Sequence, residues 1–341
     1  MHLKINNHYV PKTYLKQWAR ENKIYEYKLL APHDKCPKWS NVSISRTSSL
    51  DSLYLYYDEG EITDEMEDFF STEFEMQYSS FIDKINSYSI LDEIDKEYIS
   101  KLVASQYLRT LKGFYRIQKF VIDTFPDIIE DLTFSMEQEF KTTGTLRVDN
   151  KSKTEYNNFI PLKVDIQKLD EEKSGLIVQT IAGKSLWLFG IKHLLTSTYK
   201  ALNKISWCIY DAPNNFEWAT SDDPVIFLNF YNKKNYNFDG AWGVNNTNII
   251  FPLSPTKLLF ATIGQPTTPY QKASLTFAEE IQRYIVENAY SKVYSRIAVK
   301  KITKIRKRRV DEKEFREFND SLKNFHDNYV NDEIPLLKDK L

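Results

Sequence analysis

A histidine lies at the entrance to the first predicted helix, in the segment NHYVPKTYL at residues 7–15. Near neutral pH an imidazole can act as a general base or a metal ligand, and it can also form a structural hydrogen bond with backbone groups. Pro11 suits the first turn of a helix, and Tyr9 and Tyr14 provide rings for packing, so these residues have structural reasons to be there. His8 has no sufficient structural reason, and we take it as a candidate catalytic residue.

Three polar residues recur at helical spacing inside an apolar segment. Gln106, Arg109 and Thr110 stand at positions i, i+3 and i+4, which puts them on one face of a helix. A buried guanidinium without a partner is very costly, so Arg109 either pairs with a carboxylate such as Glu67 or Asp222 or binds an anionic ligand. The second possibility makes Arg109 a candidate catalytic residue and Gln106 and Thr110 candidate binding residues.

An aspartate pair stands between two predicted strands, in the segment ATSDDPV at residues 219–225. Pro224 fixes the backbone directly after the pair. The carboxylate of Asp222 either bonds its own backbone in a turn or is held at a sheet edge, where it could accept a proton or bind a metal. We therefore take Asp222 as a candidate catalytic residue and a candidate metal ligand.

Charge is segregated along the chain, although the formal net charge is only −1. Residues 51–100 hold fifteen Asp and Glu against two Lys, a net charge of −13, whereas residues 291–310 hold nine Lys and Arg and no acid. The basic run at 300–309 can follow a nucleic-acid backbone, pair with the acidic segment within or between copies, or lie in solvent. The first possibility predicts a nucleic-acid partner and gives four candidate binding residues: Lys300, Lys301, Arg306 and Arg308. The second possibility, when the pairing is between copies, predicts a homo-oligomer.

Absent motifs exclude several classes of enzyme. The chain has no Walker loop, no GxSxG turn, no HExxH and no GxGxxG after a predicted strand, which disfavours common ATPases, serine hydrolases, zincins and dinucleotide oxidoreductases. Cys36 and Cys208 are far apart and support neither a disulfide framework nor a thiolate zinc site. No apolar run approaches the ~20 residues that cross a bilayer, and no signal peptide is recognisable, so we predict a cytoplasmic protein without membrane contact.

Hydrophobic periodicity predicts helices in the first part of the chain and strands in the second. Short turns between the strands predict mainly antiparallel pairing. The fold class is therefore α+β, with a helical body packed on a sheet formed largely by the C-terminal half. We expect one domain over 1–341, with a mostly helical part at 1–204, a sheet-rich part at 205–300 and a charged C-terminal helix at 311–330. The predicted helices are 64–87, 95–120, one opened by Pro126, 173–203 and 273–290, and the passage 141–158 is a predicted loop or hinge.

A series of short motifs runs in order along nearly the whole chain. They are HYVP, a KIYEY strand, Gln106, Arg109 and Thr110 in ASQYLRT, ATSDDPV, FPLSP at 251–255, and Asn288 in VENAYSKVYS. This series resembles the mainly prokaryotic family called domain of unknown function 4238. The family pattern contains two carboxylates on an acidic helix. Glu67 matches the first, and either Glu73 or Glu75 matches the second. The resemblance also marks Asn288 as a binding candidate, although a late-helix Asn can simply end the helix or bond a carbonyl.

Convergence of the candidate groups would define an activity. If His8, Glu67 and Asp222 meet, they offer mixed nitrogen and oxygen ligands for a divalent metal such as Mg²⁺ or Mn²⁺. Arg109 would then stabilise charge on a phosphate, as in a metal-dependent phosphodiester hydrolase or nuclease. The resemblance adds the hypothesis of a role in prokaryotic phage defence. The alternative is a non-catalytic module that binds nucleic acid, a nucleotide or a partner protein.

Overall fold

The structure, a computed structural model, describes residues 3–58, 60–143, 162–168 and 174–338. Most of the predicted loop at 141–158 lies outside these residues, and residues 141–143 end a helix. In the described parts of the chain, no helix is long and apolar enough to span a bilayer.

Eleven α-helices are described, and several begin at side-chain caps. Asp92 and Asp95 form a capping box at the start of one helix, and Ser274 caps another through the backbone N–H of Phe277. The helices are α1 (Lys12–Leu15), α2 (Glu65–Phe70), α3 (Tyr78–Asn86), α4 (Glu93–Leu108), α5 (Leu111–Thr143), α6 (Lys184–Thr196), α7 (Leu275–Asn288), α8 (Ile302–Ile305), α9 (Glu312–Lys323), α10 (Phe325–Asn328) and α11 (Ile334–Lys338). Two π-helical segments, Ser71–Glu75 and Tyr329–Glu333, and a 3₁₀ segment, Thr198–Lys204, join some of them.

The predicted helix at 95–120 is interrupted at Arg109 and Thr110. Thr110 Oγ1 accepts a hydrogen bond from the backbone N–H of Gly113 at 3.0 Å, as an N-cap does, so Thr110 starts a second helix. Gly113 fits because a Cβ there would lie 2.3 Å from the Leu108 carbonyl oxygen. That second helix, α5, continues through Pro126, so the prediction that Pro126 opens a separate helix was wrong.

Eighteen short strands are described, and they form two larger sheets and four small two-stranded ones. The strands are β1 (Asn6–His8), β2 (Lys23–Lys28), β3 (Leu30–Ala31), β4 (Trp39–Ser43), β5 (Ser49–Asp51), β6 (Tyr56–Asp58), β7 (Glu61–Thr63), β8 (Leu162–Lys168), β9 (Ser174–Thr180), β10 (Cys208–Asp211), β11 (Thr220–Ser221), β12 (Ile226–Asn232), β13 (Asn235–Asn237), β14 (Thr247–Pro252), β15 (Lys257–Thr262), β16 (Tyr270–Lys272), β17 (Lys292–Ser295) and β18 (Arg309–Val310). Strand β9 and the 3₁₀ segment shorten the helix predicted over 173–203 to α6.

The six-stranded sheet has the order β13-β12-β14-β15-β10-β16, and all its pairs are antiparallel except β10 with β16. The four-stranded sheet has the order β11-β17-β2-β4 and is antiparallel throughout. It joins the KIYEY strand near the N-terminus to a strand almost 270 residues further along the chain. The predicted α+β class is confirmed, with antiparallel sheets mostly in the C-terminal half.

In the NHYVPKTYL segment, Tyr14 attaches α1 to both larger sheets. Its ring stacks on Phe251 at 5.4 Å between centroids. Its hydroxyl donates to the Pro252 carbonyl oxygen at 2.7 Å and lies 2.5 Å from Thr220 Oγ1. Tyr9 is 3% exposed and belongs to the same hydrophobic core, so both tyrosines of the segment have the packing role that the sequence suggested.

The C-terminal segment returns to the helical part of the molecule. Both carboxylate oxygens of Glu333 accept hydrogen bonds from the first backbone N–H groups of α6, at Lys184 and Ser185, each at 2.7 Å. The ring of Phe325 packs on Phe114 with centroids 5.0 Å apart. The charged C-terminal helix predicted at 311–330 is thus α9 followed by shorter helical pieces that pack on the body.

Candidate functional site

Arg109 ends α4 and is completely buried. Its Nη1 pairs with Glu75 Oε1 at 3.1 Å, and its Nη2 donates to the His8 carbonyl oxygen at 2.6 Å. One turn earlier, Gln106 Nε2 donates to the Tyr9 carbonyl oxygen at 3.2 Å. The face of α4 predicted from spacing therefore holds the backbone of the HYVP segment. The acidic partner of Arg109 is Glu75, the residue left open as a possible second carboxylate.

The His8 side chain is buried beside this arginine, with 5% of the residue exposed. Burial, together with the charges of Lys12 and Arg109, lowers the pKa of His8 to about 4, although a hydrogen bond with the Ile44 backbone acts in the opposite direction. The ring is therefore neutral near pH 7. Its Nε2 has no hydrogen-bond partner among the described residues. The described residues therefore give the Nε2 atom of His8 no structural hydrogen bond, and His8 stays a candidate catalytic residue.

The other two predicted metal ligands, Glu67 and Asp222, form hydrogen bonds with different protein groups. Glu67 accepts a hydrogen bond from Asn7 Nδ2 at 3.3 Å, and burial raises the pKa of its carboxyl group. Asp222 accepts hydrogen bonds from the backbone N–H groups of Tyr290 and Ser291, at 2.9 and 2.8 Å, and from Ser291 Oγ at 2.6 Å. Burial raises the pKa of Asp222 as well.

Among the described residues, no group of three or more His, Cys, Asp or Glu is arranged so that it could hold a metal ion. The proposed convergence of His8, Glu67 and Asp222 is not found there, and Asp222 instead bonds backbone and hydroxyl donors. A divalent metal does not fit the donor set that these three residues present.

A second polar cluster surrounds the fully buried Asp223, which the sequence analysis passed over. Arg116 donates to both of its carboxylate oxygens, at 2.8 and 2.5 Å, and Lys112 Nζ lies 3.3 Å away. Thr110 Oγ1 and Asn288 Nδ2 donate to it at 3.2 and 2.8 Å. The structure thus brings the predicted residues Thr110 and Asn288 together, but around the neighbour of the predicted aspartate.

The charges of this cluster fix the ionisation of its aspartate. Burial alone raises the pKa of Asp223, but the adjacent Arg116 and Lys112 cations lower it below the ordinary value. Burial lowers the pKa of Lys112. The spacing of Lys112 and Arg116 at i and i+4 was the signal in the sequence that could have indicated this carboxylate partner.

Parts of the basic run bind the protein itself. Arg306 Nη1 donates to the carbonyl oxygens of Glu287 and Ala289, at 2.9 and 2.5 Å, at the C-terminal end of α7. Arg308 donates to the carbonyl oxygens of Pro37 and Cys36, both at 2.9 Å. Both arginines therefore have structural partners, whether or not they also contact a ligand.

The two lysines of the predicted set are more exposed. Lys301 forms an ion pair with Glu279 at 2.5 Å, and both side chains are largely exposed. Lys300 is exposed at the start of the run. Their predicted contact with nucleic acid stays a prediction.

A cavity of about 300 Å³ lies where the basic run meets the turn after α7 and helix α9. Its lining combines three cations with two aromatic rings and an apolar floor, and we call it the basic-aromatic pocket: Leu30, Tyr290, Arg306, Lys307, Arg309 and Phe318. Glu314 also lines the cavity, and its carboxylate pairs with Arg309, so the lining keeps a net positive charge from Arg306 and Lys307. Burial lowers the pKa of Arg306, Asp222 opposes this shift, and the nearby charge of Arg309 lowers the pKa further. An anion placed here would relieve the repulsion between these cations.

The rings around this pocket form a continuous group. Tyr290 lies between Phe318 and Tyr115, with ring centroids 6.0 and 5.7 Å away. The backbone N–H of Tyr290 is held by Asp222, so the predicted aspartate positions a residue of the pocket rather than entering it. Rings beside cations can bind a flat ring system that carries a phosphate.

Comparison with known proteins is consistent with the motif series. No curated protein and no solved structure matches the chain. A family model described as protein of unknown function, DUF4238, matches residues 6–298. The matched region contains the Arg109 and Asp223 clusters, and the pocket residues Arg306, Lys307, Arg309 and Phe318 follow it. The chain therefore belongs to the DUF4238 family of proteins of unknown function.

Proposed function

We propose that the protein binds single-stranded nucleic acid through the basic-aromatic pocket. The observation that carries the proposal is the position of the Tyr290 and Phe318 rings beside Arg306, Lys307 and Arg309 in one cavity. Single-strand binding combines cations that follow the backbone with rings on which bases stack.

The shape of the pocket favours a single strand over a duplex. Bases in a duplex are stacked on each other and present only their edges, whereas an unpaired base can enter a cavity and stack on a side-chain ring. The cavity volume of about 300 Å³ is large enough for one base with its phosphate and too small for a longer stretch of nucleic acid. Lys307 and Arg309 are exposed, so they are accessible to a backbone that passes the mouth of the cavity.

Charge reversal at the pocket tests this proposal. Binding of a fluorescent single-stranded oligonucleotide of about 12 nucleotides is measured by anisotropy at low salt. We expect Lys307→Glu to weaken binding roughly tenfold or more, because it removes one phosphate-attracting charge and adds a repulsive one. We expect Tyr290→Leu to weaken binding about tenfold, because a stacking ring is lost. The salt dependence of binding should change less in this variant than in Lys307→Glu.

The matched control is Lys304→Glu, which makes the same charge change in the same basic run at an exposed residue of α8. It should weaken binding much less than Lys307→Glu. Equal losses in the two variants would mean that attraction is spread over the run rather than directed to the pocket. Absence of binding by the unmodified protein at low salt would reject the proposal.

Hydrolysis of a phosphodiester is the second proposal, and it rests on His8 as a general base. The ring is neutral at pH 7 and its Nε2 lacks a partner among the described residues, as a base requires. The expected result is cleavage of an oligonucleotide that His8→Asn abolishes and His33→Asn, at an exposed histidine, preserves. If the unmodified protein cleaves nothing under these conditions, binding without catalysis is the function that stands.

A further inference from the structure

A cavity of about 780 Å³ opens on a different part of the molecule, between the loop at 212–219, the helix α7 and the chain that follows β17. Pockets of a few hundred to about a thousand Å³ are typical of sites for small molecules. Rings and apolar side chains line it together with a few polar groups, as at Phe216, Trp218, Gln282 and Ile297. Neither the Arg109 and Asp223 clusters nor the basic-aromatic pocket contributes to this lining.

Gln282 provides an unused donor in the wall of this cavity. Its Oε1 accepts a hydrogen bond from the backbone N–H of Ala219 at 2.8 Å, which fixes the orientation of the amide. The other atom of the amide, Nε2, has no hydrogen-bond partner among the described residues, although only 7% of the residue is exposed. Because Nε2 itself has less than 1 Å² of accessible surface, an acceptor reaches it only after a small shift of the neighbouring side chains. A ligand that makes this contact satisfies a donor that is otherwise unfavourably buried.

The charged residues of the lining cancel each other. Arg296 pairs with Glu217 at 2.7 Å, and Lys301 pairs with Glu279 at 2.5 Å. Two cations and two anions leave no net charge, unlike the basic-aromatic pocket. The cavity therefore has no electrostatic preference for an anion, and it favours an uncharged ligand.

The rings favour a flat ligand. Phe216 and Trp218 lie with centroids 5.9 Å apart and their planes at 73°. The indole Nε1 of Trp218 donates to the Ala278 carbonyl oxygen at 3.2 Å, which ties the ring to α7. Trp218 is only 1% exposed, so the partly exposed ring of Phe216 is the one that a planar ring system contacts. The amide groups beside it, at Asn214, Asn215 and Gln282, suit the polar edges of such a ligand.

We propose that this cavity binds an uncharged planar molecule of nucleoside size, which presents a hydrogen-bond acceptor to Gln282. The assignment rests on the cavity, the unpartnered amide and the balanced charges, and it is independent of nucleic-acid binding at the basic-aromatic pocket.

Titration calorimetry with adenosine and with uridine, the two probes, tests the site. We expect saturable binding of at least one of them, and binding about tenfold weaker in Gln282→Glu. That variant keeps an oxygen for the Ala219 N–H and replaces the donor by a second oxygen, so the acceptor of the ligand loses its partner. Gln271→Glu makes the same change at an exposed residue of β16 and should bind as the unmodified protein does.

A second variant keeps the test decisive if Gln282→Glu unfolds. Ile297 lines the cavity and is 51% exposed, so Ile297→Trp can occlude the cavity without altering the core. It should abolish nucleoside binding, whereas Ile94→Trp, at a residue that is 77% exposed on α4, should not. The proposal is overturned if neither nucleoside binds the unmodified protein at millimolar concentration, or if Ile297→Trp leaves their binding unchanged.

Discussion

Replacement of Asp223 by alanine is expected to destabilise the protein by about 3 kcal/mol. The carboxylate is fully buried and is the acceptor for Arg116, Lys112, Thr110 and Asn288. Without it, two cations lose their counter-charge and two neutral donors lose their acceptor. The expected value lies at the low end for a broken buried ion pair, because Arg116 and Lys112 are 20% and 28% exposed and retain some water.

Urea unfolding at neutral pH measures this cost. Asp239→Ala is the control, since Asp239 is exposed, and it should change the free energy of unfolding by less than about 0.5 kcal/mol. A double-mutant cycle with Arg116→Met separates the pair from its surroundings and should give a coupling energy above about 1 kcal/mol. A loss below about 1 kcal/mol for Asp223→Ala would contradict the view that this cluster fixes the junction between α5, α7 and β11.

Acid is expected to remove the stability that the neutral ring of His8 provides. The pKa of His8 is about 4 in the folded protein against an ordinary value of 6.5, so between these values the unfolded chain binds more protons. The contribution is fully present above pH 6.5 and is lost as the pH falls towards 4. A difference of this size corresponds to roughly 3 kcal/mol.

The test compares the unmodified protein with His8→Asn in urea unfolding between pH 7 and pH 4. The comparison is needed because burial raises the pKa of Glu67 and of Asp222, and these carboxyl groups shift stability in the opposite direction. The free energy of unfolding of the unmodified protein minus that of His8→Asn should decrease by about 2 to 3 kcal/mol from pH 7 to pH 4. His33→Asn, at an exposed histidine, should show no such trend, and a pH-independent difference for His8→Asn would contradict the argument.

His326 contributes to the acid sensitivity in the same direction as His8. Burial and the ammonium of Lys184, 3.1 Å from its Nδ1, lower the pKa of His326 to about 4. His326 is only partly buried, so its share of the acid effect is smaller.

The sequence was sufficient for features that depend on neighbours along the chain. Helical spacing put Gln106, Arg109 and Thr110 on one face, and in the structure Gln106 and Arg109 both donate hydrogen bonds to the HYVP backbone, whereas Thr110 caps the next helix. Short turns between runs rich in β-branched and aromatic residues indicated mainly antiparallel pairing. The ordered motifs identified the family, which is confirmed.

Two predicted helix boundaries were wrong, because the spacing of apolar residues did not reveal where the helices begin and end. The apolar pattern continued across Arg109, but the cap formed by Thr110 on Gly113 divided the helix. Pro126 lacks an N–H and usually ends or begins a helix, yet α5 continues through it. In both places the spacing of apolar residues contained too little information to locate the boundary.

What the sequence by itself determined is the family, the α+β class and the shared side of Gln106 and Arg109, because these follow from residue types at short spacing. Tertiary structure alone decided that Glu75 pairs with Arg109 and that Asp223, rather than Asp222, collects Thr110 and Asn288. Adjacent aspartates have the same chemistry, and their partners come from elements more than 60 residues away in the chain. Which carboxylate meets which cation is fixed only when sheets and helices pack, since the charges must then be neutralised without water.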